Sequence, residues 1–267
     1  MLLDLGAPAG PEGVLLLVLG AAALAAGFID AVVGGGGLIQ VPALFAFVPN
    51  GSAGSLFGTN KISSISGTFV AALRYARGVR LDWNPLVPAI IGALIFSWLG
   101  AAAVSYLPRA LVQPVVLALL IPVAILTFRH RELGAHHVPR HSVVQQRLMG
   151  LLTGVLLGFY DGFFGPGTGA FLIFIFVRFF GYDFLHASAS SKLINLTTNF
   201  AALAFFIPAG EFFLLAAVVM AVCNVAGAWL GSHLAIRRGS AFVRRFFLVL
   251  LIALIVKMAW GTLEMLK

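Results

Sequence analysis

Two stretches of one kind interrupt an otherwise apolar chain: Gly27-Phe28-Ile29-Asp30-Ala31-Val32-Val33-Gly34-Gly35-Gly36-Gly37 and Gly158-Phe159-Tyr160-Asp161-Gly162-Phe163-Phe164-Gly165-Pro166-Gly167-Thr168. Each places a carboxylate and a cluster of helix-loosening residues inside sequence suited to a bilayer. In lipid, a lone carboxylate and open backbone N–H and C=O groups are costly, so such stretches ask for a functional reason. The rest of the chain leaves no alternative to a membrane. Of its 267 residues, 61% are hydrophobic and only 10% charged, with 24 Phe and a mean hydropathy of +1.04. These values predict an all-α integral membrane protein and exclude an ordinary soluble domain.

The apolar runs are 14–33, 38–48, 56–76, 85–106 and 110–128, then 148–164, 168–180, 187–207, 212–236 and 243–263. Most hold about 20 residues, enough for a hydrocarbon core of about 30 Å. The runs 38–48 and 168–180 reach only about 16–20 Å and are expected to be re-entrant or half-depth. About eight transmembrane helices plus two short, Gly-broken segments follow.

Sliding the chain against itself by 131 residues superimposes rare residues without a gap. Gly27, Phe28, Asp30, Gly34 and Gly36 fall on Gly158, Phe159, Asp161, Gly165 and Gly167; Lys61 falls on Lys192; Trp98-Leu99-Gly100 falls on Trp229-Leu230-Gly231. A duplication is expected, with a first transmembrane repeat over 1–128, a basic cytoplasmic linker over 129–147 and a second repeat over 148–267. The basic loops around Arg74–Arg80, Arg129–Arg147 and Arg237–Arg245 mark three cytoplasmic segments. They return to one side only if 148–180 is a hairpin, and the repeat extends the same hairpin to 14–48. Each repeat then crosses an odd number of times, which makes the two repeats inverted and puts both termini outside.

The net charge of +8 sits in short loops with no aromatic interleaving, which argues against nucleic acid as a partner. A single Cys223 excludes an internal disulfide. The amino-terminal run lacks the basic flank of a cleaved signal, so the first helix is expected to remain in the mature protein. His130, His136, His137 and His141 read as a solvated loop, and no metal site or cofactor is expected. No P-loop, HExxH or GxSxG motif occurs, so neither an ATP motor nor enzymatic hydrolysis is expected.

The candidate site centres on Lys61 and Lys192, each early in a membrane helix. Polar groups follow each lysine at i+3 and i+7: Ser64 and Thr68, and Asn195 and Asn199. Either the lysines snorkel to the headgroups, or they converge near mid-membrane and bind an anion. In the second reading Lys61, Lys192, Asn60, Ser64, Asn195 and Thr198 bind substrate, and the breaks at Gly36 and Gly167 offer backbone N–H groups at half-helix starts. Asp30 and Asp161 then either balance the lysine charges or carry a coupling proton. Trp98 and Trp229 read as packing residues or, alternatively, as walls of the site.

The Gly27–Gly37 stretch with Pro42, the Thr59-Asn60-Lys61 element, and the Gly158–Pro166 stretch with Lys192 and Asn195 together resemble the sulfite exporter TauE/SafE family, in particular its YfcA-like bacterial branch. The resemblance covers nearly the whole chain. It implies a multi-pass permease of the bacterial inner membrane, an exporter of sulfite, sulfonates or other small anions. One departure stands out, since Pro166 and Thr168 occupy positions that are glycine in the first half. The expected function is a secondary anion transporter working by alternating access, with proton coupling open and a homodimer compatible with the sequence. An anion channel or a membrane scaffold subunit is the competing class. The channel needs a continuous polar lining, whereas here polarity concentrates at two symmetric points.

Overall fold

A computed structural model describes residues 12–48, 51–104 and 141–265. The apolar run 110–128, residues 129–140 of the expected linker and His130, His136 and His137 lie outside them. The described elements are α1 (Glu12–Val33), α2 (Gly37–Phe47), α3 (Ala53–Gly78), α4 (Trp83–Val104), α5 (Val143–Phe163), α6 (Thr168–Ile175) continued by a π-helical turn (Phe176–Phe180), α7 (Phe184–Phe206) and α8 (Leu214–Met265). No strand occurs among the described residues. Four segments, Gly13–Val33, Trp83–Val104, Val143–Phe163 and Leu214–Val249, are long and apolar enough to cross a membrane. The protein is a multi-pass membrane protein.

Local chemistry sets the helix starts. Ser52 caps α3 by accepting from Ser55 N, and Asp183 caps α7 by accepting from Leu185 N and His186 N. Ser142 and Gln145 form a reciprocal capping box that starts α5 at Val143, inside the stretch expected as linker. The two apolar runs expected at 212–236 and 243–263 are two helices, labelled together α8, that meet at Gly239, whose φ of 71° and ψ of −168° no helix accommodates. The first residues of the helices recur at one spacing: 12 and 143, 37 and 168, 53 and 184, 83 and 214 are each 131 apart.

Both short helices double back. Gly36 lies against Ala26 and Asp30 of α1, while Leu44 and Val48 at the far end of α2 pack with Leu19. In the second half His141, just ahead of α5, bonds through Nε2 to Phe179 O at 2.8 Å, at the far end of α6 and its π turn.

Small residues set the helix spacing. Gly150, Gly154, Gly158 and Gly162 of α5 face Pro85, Ala89, Ala93 and Ser97 of α4, a ladder in steps of four that makes the two helices parallel. A Cβ on Gly162 would stand 1.9 Å from Ser97 O, so only glycine allows this approach. Gly27, Gly227 and Gly231 build the matching parallel contact between α1 and α8 against Asn224, Leu24 and Phe28. Gly54, Gly67 and Gly78 of α3 meet Glu211, Asn224 and Ile236 in the same sense. Small-residue contact of this kind is how helices associate in lipid, where no hydrophobic force separates them from their surroundings.

Charge segregates to one end of the bundle. There Gly78 meets Ile236, Tyr182 Oη donates to Asp82 Oδ2 at 3.1 Å, and Phe184 N donates to Ser240 Oγ at 3.0 Å. Arg77, Arg80, Arg178, Arg237 and Arg238 stand within four residues of these contacts along the chain. At the other end Glu211 accepts from Ser52 Oγ and Ser55 Oγ at 2.7 and 2.6 Å. The outward faces are apolar: Leu17, Ile95, Leu156 and Val222 are exposed, and so are Trp98 and Trp229, which therefore do not wall an internal site. Gly162→Leu is expected to cost about 1–3 kcal/mol or more through overpacking, read as a fall in the thermal midpoint in detergent, whereas Gly13→Ala, with open space around it, leaves the midpoint unchanged.

Candidate functional site

Lys61 of α3 and Lys192 of α7 are 2% and 0% exposed, with their side chains enclosed by the bundle. The snorkelling alternative does not describe them. Each ammonium meets a carboxylate of the other half: Lys61 Nζ lies 2.7 Å from Asp161 Oδ2, and Lys192 Nζ lies 2.8 Å from Asp30 Oδ2. A buried unpaired ion costs several kcal/mol, so these two crossed pairs are what allow four charges in an apolar interior.

The helices explain why the carboxylates need partners. Asp30 and Asp161 sit in the last turns of α1 and α5, at the negative end of each helix dipole. A cation from α7 or α3 offsets that placement. The break after α1 adds a second source of positive charge, because Gly35 N and Gly36 N point back at Asp30 Oδ1 at 3.2 and 3.5 Å. In the second half the residue equivalent to Gly35 is Pro166, which has no N–H. Among the described residues Asp161 accepts one hydrogen bond, from Lys61. Tyr160 Oη, beside it, donates to Pro166 O at 2.7 Å.

The two breaks touch one another. Gly34, at φ 66°, lies so close to Gly169 that a Cβ would stand 2.3 Å from Gly169 C, and a Cβ on Gly37 would meet Pro166 Cα at 3.1 Å. Beside this contact lies a polar cavity of about 30 Å³. Of the residues expected at the site, Asp30, Asn60, Lys61, Ser64, Asp161, Gly167 and Asn195 line it.

Lys192, Gly36 and Thr198 do not form its wall. Lys192 stands behind Asp30, and Gly36 N is turned to the Asp30 carboxylate. Thr198 Oγ1 donates to Asn195 O at 3.0 Å on its own helix, and its carbonyl accepts from Ser97 Oγ at 2.8 Å. Thr68 and Asn199 line the cavity instead, together with Thr168. Asn60 Oδ1 and Asn195 Oδ1 are buried without a hydrogen-bond partner. Each amide, on turning over, presents N–H donors in place of the oxygen.

A neighbouring network escaped the sequence analysis. Gln40, fully buried in α2, donates to Ser63 Oγ and accepts from Ser64 Oγ at 3.3 Å and Asn224 Nδ2 at 3.4 Å. A lone amide inside an apolar 11-residue helix was its signal. It ties α2 and α8 to the lysine-bearing helix α3.

The family model for the sulfite exporter TauE/SafE matches residues 19–258, nearly the whole described bundle. The chain belongs to this family. It is 33% identical over 245 residues to the probable membrane transporter protein ORF9 of Sinorhizobium sp, covering 91% of this chain and 92% of that one. A probable membrane transporter protein of Haemophilus influenzae is 30% identical over 247 residues, with 92% and 95% covered. The probable membrane transporter protein YfcA of Escherichia coli K12 is 31% identical over 239 residues, with 88% and 86% covered. No solved structure matches the chain. These TauE/SafE relatives are named as transporters, not enzymes.

Within this family member the ion pairs make a direct stability prediction. Lys61→Ala strands a buried carboxylate and is expected to cost about 3–5 kcal/mol. Adding Asp161→Ala recovers a large part of that loss. Unfolding midpoints of the two single variants and the double variant, compared in a double-mutant cycle, test the coupling.

Proposed function

We propose that this protein is a secondary transporter that exports small sulfur-containing or organic anions, such as sulfite or sulfonates, by alternating access around the central cavity. The observation that carries this reading is the buried cavity on which Lys61, both carboxylates and both helix breaks converge. A cation fixed in a pocket inside the bundle interacts with an anion more strongly than it would in bulk solvent. The amides of Asn60 and Asn195 and the hydroxyls of Ser64 and Thr68 supply hydrogen bonds around it. Lys192 acts one step back, by holding Asp30.

The same reading makes the chain a pair of inverted repeats, 1–128 and 148–267, joined by 129–147, with α2 and α6 as re-entrant segments. Three observations support it. The helix starts recur at a spacing of 131, α2 and α6 each double back on the preceding helix, and the contacts of one half reappear in the other with the partners exchanged. The clustering of arginines at one end, with Glu211 at the other, supports an inner-membrane orientation with the basic end cytoplasmic. α1 starts at the Glu211 end, where Leu19 packs with Leu56 and Met220, which supports an external amino terminus.

A passive channel or a scaffold differs in its dependence on the lysines. In proteoliposomes holding equal amounts of folded protein, Lys61→Gln together with Lys192→Gln is expected to abolish flux of labelled sulfite. Flux equal to that of the unmodified protein removes the central-site reading. For orientation, a carboxy-terminal alkaline phosphatase fusion is expected to be active and a fluorescent-protein fusion dark; the reverse pattern places that terminus in the cytoplasm.

A further inference from the structure

Resting on the anion-transport reading above, we propose that the two ion pairs have different jobs: Asp161 is the proton-carrying carboxylate that exchanges with the transported anion at Lys61, while Asp30 is a fixed charge. The pairs are equivalent in sequence, yet three features of their surroundings separate them.

First, Asp30 is held from three directions, by Lys192 Nζ and by Gly35 N and Gly36 N, whereas Asp161 has Lys61 alone among the described residues. Pro166 removes the donor that its counterpart Gly35 supplies. Second, Lys61 lines the cavity and Lys192 does not, so an anion in the cavity meets the ammonium of one pair only. Third, Gly165, at φ 91°, brings the cavity edge to this pair, since a Cβ there would lie 3.4 Å from Lys61 Nζ and 3.6 Å from Asp161 Oδ1.

The charged groups around Asp161 are few. Lys61 faces it from α3, and Asp30, already bound to Lys192 of α7, faces the same cavity from α1. Neither α4 nor α6 carries a charged residue, and Tyr160 on its own helix directs its hydroxyl to Pro166 O.

The step balances in charge and atoms. In the empty site the Lys61 ammonium and the Asp161 carboxylate cancel. A monoanion entering alone leaves an uncompensated negative charge in a low-dielectric interior, which is strongly disfavoured. A proton added to Asp161 Oδ2 forms an O–H bond, releases Lys61 Nζ from its carboxylate, and lets that ammonium take the anion with no change in total charge. Release of anion and proton on the other side restores the pair. Asp30 is unsuited to this step, because its proton would have to displace Lys192 and compete with two N–H donors, and the freed Lys192 does not reach the cavity.

The test uses labelled methanesulfonate, which keeps its single charge across the physiological range, and proteoliposomes of the full chain. Counterflow at equal pH reports anion exchange, and uptake driven by an imposed pH gradient reports coupling. The unmodified protein is expected to do both. Asp161→Asn, which mimics the protonated acid, is expected to keep counterflow, lose its dependence on pH, and no longer accumulate anion above equilibrium. Asp30→Asn is expected to lose both activities. Pro166→Ala, which restores an N–H, is expected to move the pH midpoint of counterflow downward.

The proposal is overturned if Asp161→Asn, folded by its thermal midpoint, still accumulates anion against the gradient or loses counterflow altogether. It is equally overturned if Asp30→Asn is the variant that keeps exchange and loses coupling, or if Pro166→Ala moves the midpoint upward or leaves it in place. Absence of methanesulfonate counterflow in the unmodified protein, with sulfite and sulfate also inert, instead removes the transport reading on which the proposal rests.

Discussion

Two lysines in an apolar interior, each neutralised by a carboxylate from the far half of the chain, are the constraint around which the rest of this structure is built. Lys61 cannot reach Asp161 unless α3 approaches the end of α5, and Lys192 cannot reach Asp30 unless α7 approaches the end of α1. The crossed pairs thus fix how the halves meet. They also fix where the breaks fall, since Asp30 and Asp161 lie within a turn or so of the residues where α1 and α5 stop.

Close approach of backbone to backbone meets that constraint. Lipid tails are as apolar as leucine, so packing of small residues and satisfied polar groups must hold the helices together. The α4 and α5 ladder, its α1 and α8 counterpart and the Gly34–Gly169 contact serve the first need. Gln40 with Ser63, Ser64 and Asn224 serves the second. The irregular backbone of the two breaks is tolerated because each is buried against the other and faces a polar cavity, not lipid.

Much of this was legible in the sequence, for physical reasons. The cost of charge and glycine in apolar surroundings made the two stretches visible, and the spacing of 131 carried through to the helix starts. Which lysine pairs with which carboxylate was not legible, because pairing within a half and across halves have the same composition. Thr198 shows where local geometry had the answer. At about 100° per residue, positions three and seven beyond Lys192 share its face, which selects Asn195 and Asn199, whereas position six points well away. The change from Gly35 to Pro166 was visible as a departure, but its meaning depends on the 3.2 Å contact between Gly35 N and Asp30 Oδ1.

The crossing of the ion pairs has a consequence for biosynthesis. A nascent chain is made from its amino terminus, so Asp30 and Lys61 enter the bilayer while Asp161 and Lys192 are still unmade. Neither early charge has its native partner until the second half has been threaded, and the first half alone is a poor resident of lipid. Closure of the pairs therefore waits on the second half, Lys61 meeting Asp161 only once α5 is in place and Asp30 meeting Lys192 only once α7 is. A truncated chain ending before α5 would hold Asp30 and Lys61 without the partners they have in the complete bundle.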